Sequence, residues 1–301
     1  MRVTVTGATG LIGRRLAAEL TDRGDEVTVL SRDPDGARRA LPGVQAAAWD
    51  PEGGPAPAEA LAGRDAVVHL AGENVAQRWS DEARRRIRDS RVRGTRHLVE
   101  GLRAAAPRPA ALISSSAVGL YGAHGDEEVD ESTPPAGDFL GSVCQAWEQE
   151  ARAAEELGLR VVELRTGVVM DKSGGALAKM LPPFKLGAGG PVAGGGQYVP
   201  WVHTDDVVGM IVAALDDERW SGPVNATAPV PVTNKELSRA LGRALGRPAV
   251  APVPAFALKL LYGDMAQIVV TGARVVPRRA QELGYAFRHP GLDETLSSAL
   301  G

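Results

Sequence analysis

Residues 7–13 read Gly7-Ala8-Thr9-Gly10-Leu11-Ile12-Gly13, three glycines spaced three apart. They follow Arg2-Val3-Thr4-Val5-Thr6, which is alternating and β-branched, and they open Leu11 to Leu20, where apolar residues recur at helical spacing. Strand, tight turn and helix is the arrangement this predicts. After Arg23-Gly24-Asp25 a second strand, Glu26 to Leu30, completes a βαβ unit of about 30 residues. In such a unit the first glycine permits the turn, the second lets backbone approach a pyrophosphate, and the third lets the helix pack closely on the sheet. Amides at the helix N-terminus add donors and partial positive charge for phosphate. The segment therefore reads as a dinucleotide site with Gly7, Thr9, Gly10, Leu11, Ile12 and Gly13 as its contacts. The alternative is a tight turn that binds nothing.

The tip of the second strand bears on which dinucleotide it is. It reads Val29-Leu30-Ser31-Arg32-Asp33-Pro34, and a site for NAD would place an acid there to hold the ribose 2′-hydroxyl. Ser31 and Arg32 suit a 2′-phosphate better, because a guanidinium supplies charge-assisted donors in a fixed fork. NADP is expected ahead of NAD, although Asp33 lies one register step from supplying the missing acid.

Further strand candidates are Ala66 to Leu70, Ala111 to Ser115, Arg160 to Leu164 and Val224 to Ala226, separated by helical patterns such as Asp81 to Ala104 and Val143 to Leu157. Alternation of this kind predicts an α/β fold with a Rossmann-type, doubly wound parallel sheet. Glycines at 174–175, 187, 189–190 and 194–196 then mark loops near a site or a plain surface loop. From Thr233, with Glu236 three residues on as a capping box, the pattern is helical again. The expected division is a dinucleotide-binding domain over 1–170, to which 200–230 returns, and a smaller, mostly helical C-terminal substrate lobe from 171–199 and 231–301. The 34 Lys and Arg nearly balance 37 Asp and Glu over 301 residues, so neither a nucleic-acid partner nor a membrane patch is expected. No stretch approaches the roughly 18 apolar residues of a membrane span. A single cysteine, Cys144, excludes an internal disulfide framework and fits a reducing compartment, so the cytoplasm is the expected location.

These pieces together resemble the extended short-chain dehydrogenase/reductases, the NAD(P)-dependent epimerase/dehydratase group, along nearly the whole chain. The resemblance rests on the Gly7/Gly10/Gly13 loop, His69-Leu70-Ala71-Gly72, Ser114-Ser115-Ser116 before Tyr121-Gly122, Leu164-Arg165-Thr166-Gly167 and Trp201-Val202-His203-Thr204-Asp205-Asp206. Within that group Leu70-Ala71-Gly72-Glu73-Asn74, Asp89-Ser90-Arg91-Val92-Arg93-Gly94-Thr95 and Arg247-Pro248 through Leu258 are similar to an atypical branch with a C-terminal domain of unknown function. The resemblance adds Leu70, Ala71, Gly72 and Glu73 to the cofactor contacts.

It also implies a serine that polarises substrate and a Tyr-x-x-x-Lys pair that transfers the proton. The matching segment here is Leu140-Gly141-Ser142-Val143-Cys144, with leucine in place of the tyrosine and cysteine in place of the lysine. No realignment restores the lysine, since the five are Lys172, Lys179, Lys185, Lys235 and Lys259. Chemistry by the usual dyad is excluded. Ser116 matches the polarising serine, with Ser114 and Ser115 as neighbours. Tyr121, the only tyrosine before residue 198, reads either as a proton donor or as an aromatic packed under its loop. Cys144 reads as a thiolate nucleophile or as a small buried apolar residue. Glu148 reads as a carboxylate acid/base or as a structural ion-pair partner.

Glu73 and Asn74 are a loop over the nicotinamide side of the crevice or a polar loop cap, and His203 reads as a hydrogen-bonding scaffold residue. No pair among His69, His97, His124, His203 and His289 has ligand spacing with a nearby carboxylate or cysteine, so no metal site is expected. Arg84, Arg85 and Arg86, with Arg88, Arg91, Arg93 and Arg96, are interspersed with Asp81, Glu82 and Asp89 on one predicted helix, which reads as a solvated amphipathic face or as a site for an anionic ligand. The chain is expected to be a monomer or a homodimer. Its expected function is an NADP-dependent oxidoreductase or epimerase of a small carbonyl or sugar-like substrate, against the alternative of a catalytically silent NADP(H)-binding sensor.

Overall fold

The computed structural model describes residues Met1–Gly301. In chain order its strands are β1 (Arg2–Thr6), β2 (Glu26–Ser31), β3 (Gln45–Ala48), β4 (Ala66–His69), β5 (Ala111–Ala117), β6 (Glu128–Val129), β7 (Arg160–Thr166), β8 (Val168–Met170), β9 (Tyr198–Val199), β10 (Trp201–His203), β11 (Gly222–Ala226), β12 (Val232–Thr233) and β13 (Arg274–Val275). The helices are α1 (Leu11–Asp22), α2 (Pro34–Ala40), α3 (Asp81–Ala104), α4 (Phe139–Arg152), α5 (Gly175–Lys185), α6 (Thr204–Asp216), α7 (Asn234–Leu245), α8 (Ala255–Tyr262), α9 (Ala266–Val270), α10 (Arg278–Glu282) and α11 (Leu292–Leu300).

Seven strands form one sheet in the order β11-β7-β5-β4-β1-β2-β3. Every neighbouring pair is parallel, with Val3 of β1 opposite Val27 of β2 on one side and Ala66 of β4 on the other. Strands covered on both faces carry near-continuous apolar runs, as Ala66-Val67-Val68 does. Val3, Val5 and Val29 pack under α1 and α6, while Leu30, Val67, Leu112 and Val161 pack under Leu98 and Leu102 of α3 and Ala151 of α4. The chain lays down β1, β2 and β3 outward and then restarts at β4 on the opposite side of β1. The crevice at the C-terminal ends of β1 and β4 is thus the switch point where such sheets bind ligand.

A third core, of Met170, Leu177, Leu181, Phe184, Trp201, Leu237, Leu241 and Leu296 among others, gathers α5, α7 and α11 beside the sheet. Thr233 and Glu236 form the capping box of α7: Thr233 N donates to Glu236 Oε2 at 2.7 Å and Glu236 N donates to Thr233 Oγ1 at 3.3 Å. The C-terminal region is helical. Asp206 clasps it to α6, accepting from the backbone N–H of Arg288 (2.7 Å) and His289 (3.0 Å).

Candidate functional site

The turn between β1 and α1 needs all three glycines for separate steric reasons. Gly7 has φ +69°, and a Cβ there would lie 2.6 Å from the Leu70 carbonyl carbon. A Cβ on Gly13 would lie 2.3 Å from the Gly7 oxygen, so β4 and α1 both press on the turn. Gly10 begins α1 with no side-chain cap, and a Cβ there would meet only the Gly7 oxygen, at 3.2 Å. The unpaired N–H groups of the first helical turn therefore face an open cradle, with Thr9 and Gly10 exposed and Leu11 and Ile12 half-buried. Such a cradle fits a pyrophosphate.

At the tip of β2, Asp33 N donates to Ser31 Oγ at 3.1 Å, and Asp33 Oδ1 caps α2 by accepting from Gly36 N at 2.8 Å. Asp33 is committed to α2, which removes it as the acid of a ribose site. Asp33-Pro34, a cap followed by proline at the first helical position, is the sequence signal for this. Arg32 is exposed, and its guanidinium forms no hydrogen bond or ion pair within the protein.

At the end of β4, His69 is fully buried between Thr6 Oγ1 (2.7 Å) and Thr95 Oγ1 (3.1 Å). Burial, with Arg91 nearby, pushes its pKa down to about 4, so it is a neutral joint between β1, β4 and α3. Leu70, Ala71, Gly72 and Glu73 follow it along the crevice. Ala71 N donates to Thr6 Oγ1 (3.2 Å) and Glu73 N to Ser90 Oγ (3.0 Å), while Asn74 Oδ1 accepts from Ala76 N as a loop cap.

The four acid/base candidates converge at the end of β5, where three of them join one buried network centred on Arg165, whose guanidinium spans them. Ser116 Oγ donates to Glu148 Oε1 at 2.6 Å. Arg165 Nε and Nη2 donate to the two oxygens of Glu148 at 2.8 and 2.9 Å, and Arg152 Nη2 adds a further bond at 2.9 Å. Arg165 Nη1 also donates to the Tyr121 hydroxyl (2.9 Å), which itself donates to Asn225 Oδ1 (2.6 Å). Burial and the Glu148 contact act oppositely on Arg165, and the contact wins, holding the guanidinium above its ordinary range. Burial pushes Tyr121 up to about 12, against the opposing pull of Arg165. Cys144 lies beside this network, and burial pushes its thiol up to about 12, so it stays protonated and unreactive at neutral pH. Tyr121 and Glu148 have every polar atom engaged, and Ser116 has its proton on Glu148.

The profile of the NAD dependent epimerase/dehydratase family matches residues 3–225, and that of a domain of unknown function, DUF1731, matches residues 253–299. The chain belongs to the NAD-dependent epimerase/dehydratase family. It is 40% identical over 310 residues to the chloroplastic epimerase family protein SDR39U1 homolog of Arabidopsis thaliana, an alignment covering 100% of this chain and 87% of the relative. The crystal structure of human epimerase family protein SDR39U1 (isoform 2) with NADPH superposes at a TM-score of 0.89, with 35% identity and 99% of each chain covered. A nucleoside-diphosphate sugar epimerase from Corynebacterium glutamicum is 34% identical at a TM-score of 0.79, covering 100% of this chain and 58% of that one.

Two features of this family member depend on contacts that its sequence does not show. His203 and His289, far apart in the chain, stack with ring centroids 3.8 Å apart, and Asp205 Oδ2 lies 3.5 Å from His203 Nδ1 and from His289 Nε2. The expectation that no histidine pair meets a carboxylate is therefore corrected, because the return of the C-terminal segment over α6 brings them together. His203 Nδ1 accepts the Asp205 N–H as the cap of α6 (3.1 Å), and Arg15 Nη1 already pairs with Asp205 at 2.9 Å. The cluster is an ion-pair joint in this geometry. The second is Arg91, half-buried on the inner side of α3 and not part of its solvated face. Its position on the stripe Ile87, Arg91, Gly94, Leu98 was the available signal.

Proposed function

We propose that this family member binds NADP(H) and acts as an oxidoreductase or epimerase on a small carbonyl or sugar-like substrate, without a Tyr-x-x-x-Lys dyad. The observation that carries the choice of cofactor is the tip of β2: Asp33 is spent on capping α2, and Arg32 stands free and exposed. The first turn of α1 would hold the pyrophosphate, Ser31 and Arg32 the 2′-phosphate, and Leu70 to Glu73 the nicotinamide half. The NADPH in the human relative's structure supports the same assignment. When bound, the nicotinamide supplies hydride chemistry.

The chain's own contribution at the reacting end is positioning. Ser116 Oγ, whose single proton lies on Glu148, is left as an acceptor that would orient a substrate hydroxyl at the end of β5. Neither Tyr121, whose proton lies on Asn225, nor the buried Cys144 thiol offers a proton, so solvent or the substrate supplies it.

That same engagement of Tyr121, Cys144 and Glu148 favours a second reading, a silent NADP(H)-binding sensor. One experiment separates the two. Purified protein loaded with NADPH is challenged with aldehydes, ketones, quinones and nucleotide sugars while absorbance at 340 nm and product formation are followed. Oxidation or epimerisation that Ser116→Ala abolishes supports the enzyme; tight NADPH binding with no turnover across the panel supports the sensor.

A further inference from the structure

Four of the eight arginines of α3 turn outward into ion pairs, among them Arg84 with Asp264 at 2.6 Å and Arg86 with Glu82 at 2.7 Å. Arg91 points the other way. Its Nη1 donates to the Glu73 carbonyl (2.9 Å) and the Ile87 carbonyl (3.1 Å), and its Cζ lies 5.1 Å from the Trp147 ring of α4. A Cβ on Gly72 would come within 3.3 Å of that Cζ, so the glycine leaves the guanidinium its room. Nε and Nη2 donate to nothing in the protein and keep access to solvent. No carboxylate pairs with Arg91: Glu73, whose charge acts on it, accepts from Gln77 at 2.9 Å and lies 3.9 Å from Arg86, and Asp89 pairs with Arg88. A half-buried cation with two unfilled donors and no counter-anion is costly to hold for packing alone.

Its place in the fold says what fills those donors. With a 2′-phosphate at Arg32 beyond β2 and a pyrophosphate at Gly10 beyond β1, an extended dinucleotide continues toward the ends of β4 and β5. Gly72 and Arg91 lie there. The two ends of the redox couple differ at that half by one positive charge, carried by the oxidised ring alone.

We infer that Arg91 holds the nicotinamide half of the dinucleotide through oxygen acceptors, and that its charge makes the site bind the reduced, neutral cofactor in preference to the oxidised, cationic one. The inference rests on the NADP(H) reading above and adds to it a direction: the protein is poised with NADPH. Arg91 is in this sense a specificity-determining residue, supplying from α3 a cation that position 144 of α4 does not.

Calorimetric titration of the full-length protein with NADPH and with NADP+ tests it, alongside Arg91→Met and Arg91→Lys, with thermal melts recorded for all three. The wild type is expected to favour NADPH by about tenfold, the order a single partly screened charge provides. Arg91→Met should weaken both and bring the ratio of dissociation constants toward one, while Arg91→Lys should weaken both and keep most of the ratio. A purely structural role would lower the melting temperature of the variants and leave the ratio unchanged, which overturns the inference. Tight but equal binding of the two forms by the wild type overturns it alone, and no binding of either form overturns the cofactor reading with it.

Discussion

The Tyr121 hydroxyl donates to Asn225 and accepts from Arg165, and this fixes what substitution there should do. Tyr121→Phe leaves Asn225 Oδ1 and one Arg165 donor unpaired in a closed environment, a loss of about 1–3 kcal/mol. Thermal or urea unfolding should show that destabilisation, with NADPH affinity within twofold of wild type. A variant of unchanged stability that lost all turnover would instead make Tyr121 the proton donor. Arg165→Met goes further, because Glu148 then loses both bonds from its principal partner, and breaking a buried pair on one side costs about 3–5 kcal/mol. That variant is expected to express poorly or unfold early, and a native-like midpoint in urea would show that the network contributes little.

Strand β7 carries an acid that the sheet does not easily accommodate. Glu163 is buried on it, with Arg152 beside it but no well-aligned hydrogen bond to either oxygen. Burial, with Glu148 nearby, raises its pKa from 4.5 to about 7. Folded, the carboxyl keeps its proton to about pH 7; unfolded, it releases it near 4.5. Between those values the native state binds more protons, so this group's contribution to stability falls as pH rises through the window and is flat above it. Glu163→Gln should therefore melt higher than wild type at pH 8, by a few degrees for about 1–3 kcal/mol, with the gap closing at pH 4. A lower melting point at pH 8 would mean that the Arg152 pair outweighs burial.

How much of these elements the sequence disclosed follows from where their determinants lie. β1, α1 and α3 are specified locally, by alternation, glycine placement and a serine cap, and their extents were readable within a residue or two. Gln45-Ala46-Ala47-Ala48 of β3 was not readable, because a run of alanines has little strand preference and only its pairing with β2 makes it a strand. Nor was α5, which holds Pro182 and Pro183 in a helix that tertiary packing of Leu177, Leu181 and Phe184 sustains. At the site, the glycine turn was legible for the same local reason. Of the Ser116–Glu148–Arg165–Tyr121 network, Ser116, Glu148 and Tyr121 were legible only as separate candidates and Arg165 not as a site residue at all, since each bond joins a different element.

At the scale of the whole molecule, Asp206 joins α6, which packs on the sheet, to the C-terminal region through the N–H groups of Arg288 and His289 and the Tyr285 hydroxyl. Asp206→Ala should loosen that region first. Hydrogen exchange is expected to rise in residues 272–301 while β1, β4 and β5 keep their protection, and a uniform rise across the sheet would show that the two parts unfold as one. On the proposed reading, the crevice at the switch point ties the molecule together functionally, with the adenine end of the cofactor assigned to Arg32 and the nicotinamide end to Arg91. Whether this crevice is an NADP(H) site decides the proposed function. The most direct measurement is calorimetric titration of wild type and Arg32→Ala with NADPH and NADH. NADPH should bind wild type more tightly than NADH, and Arg32→Ala should lose roughly 10–100-fold for NADPH, the worth of charge-assisted bonds to one phosphate, and little for NADH. Equal losses for the two, or no binding of NADPH at all, would contradict it.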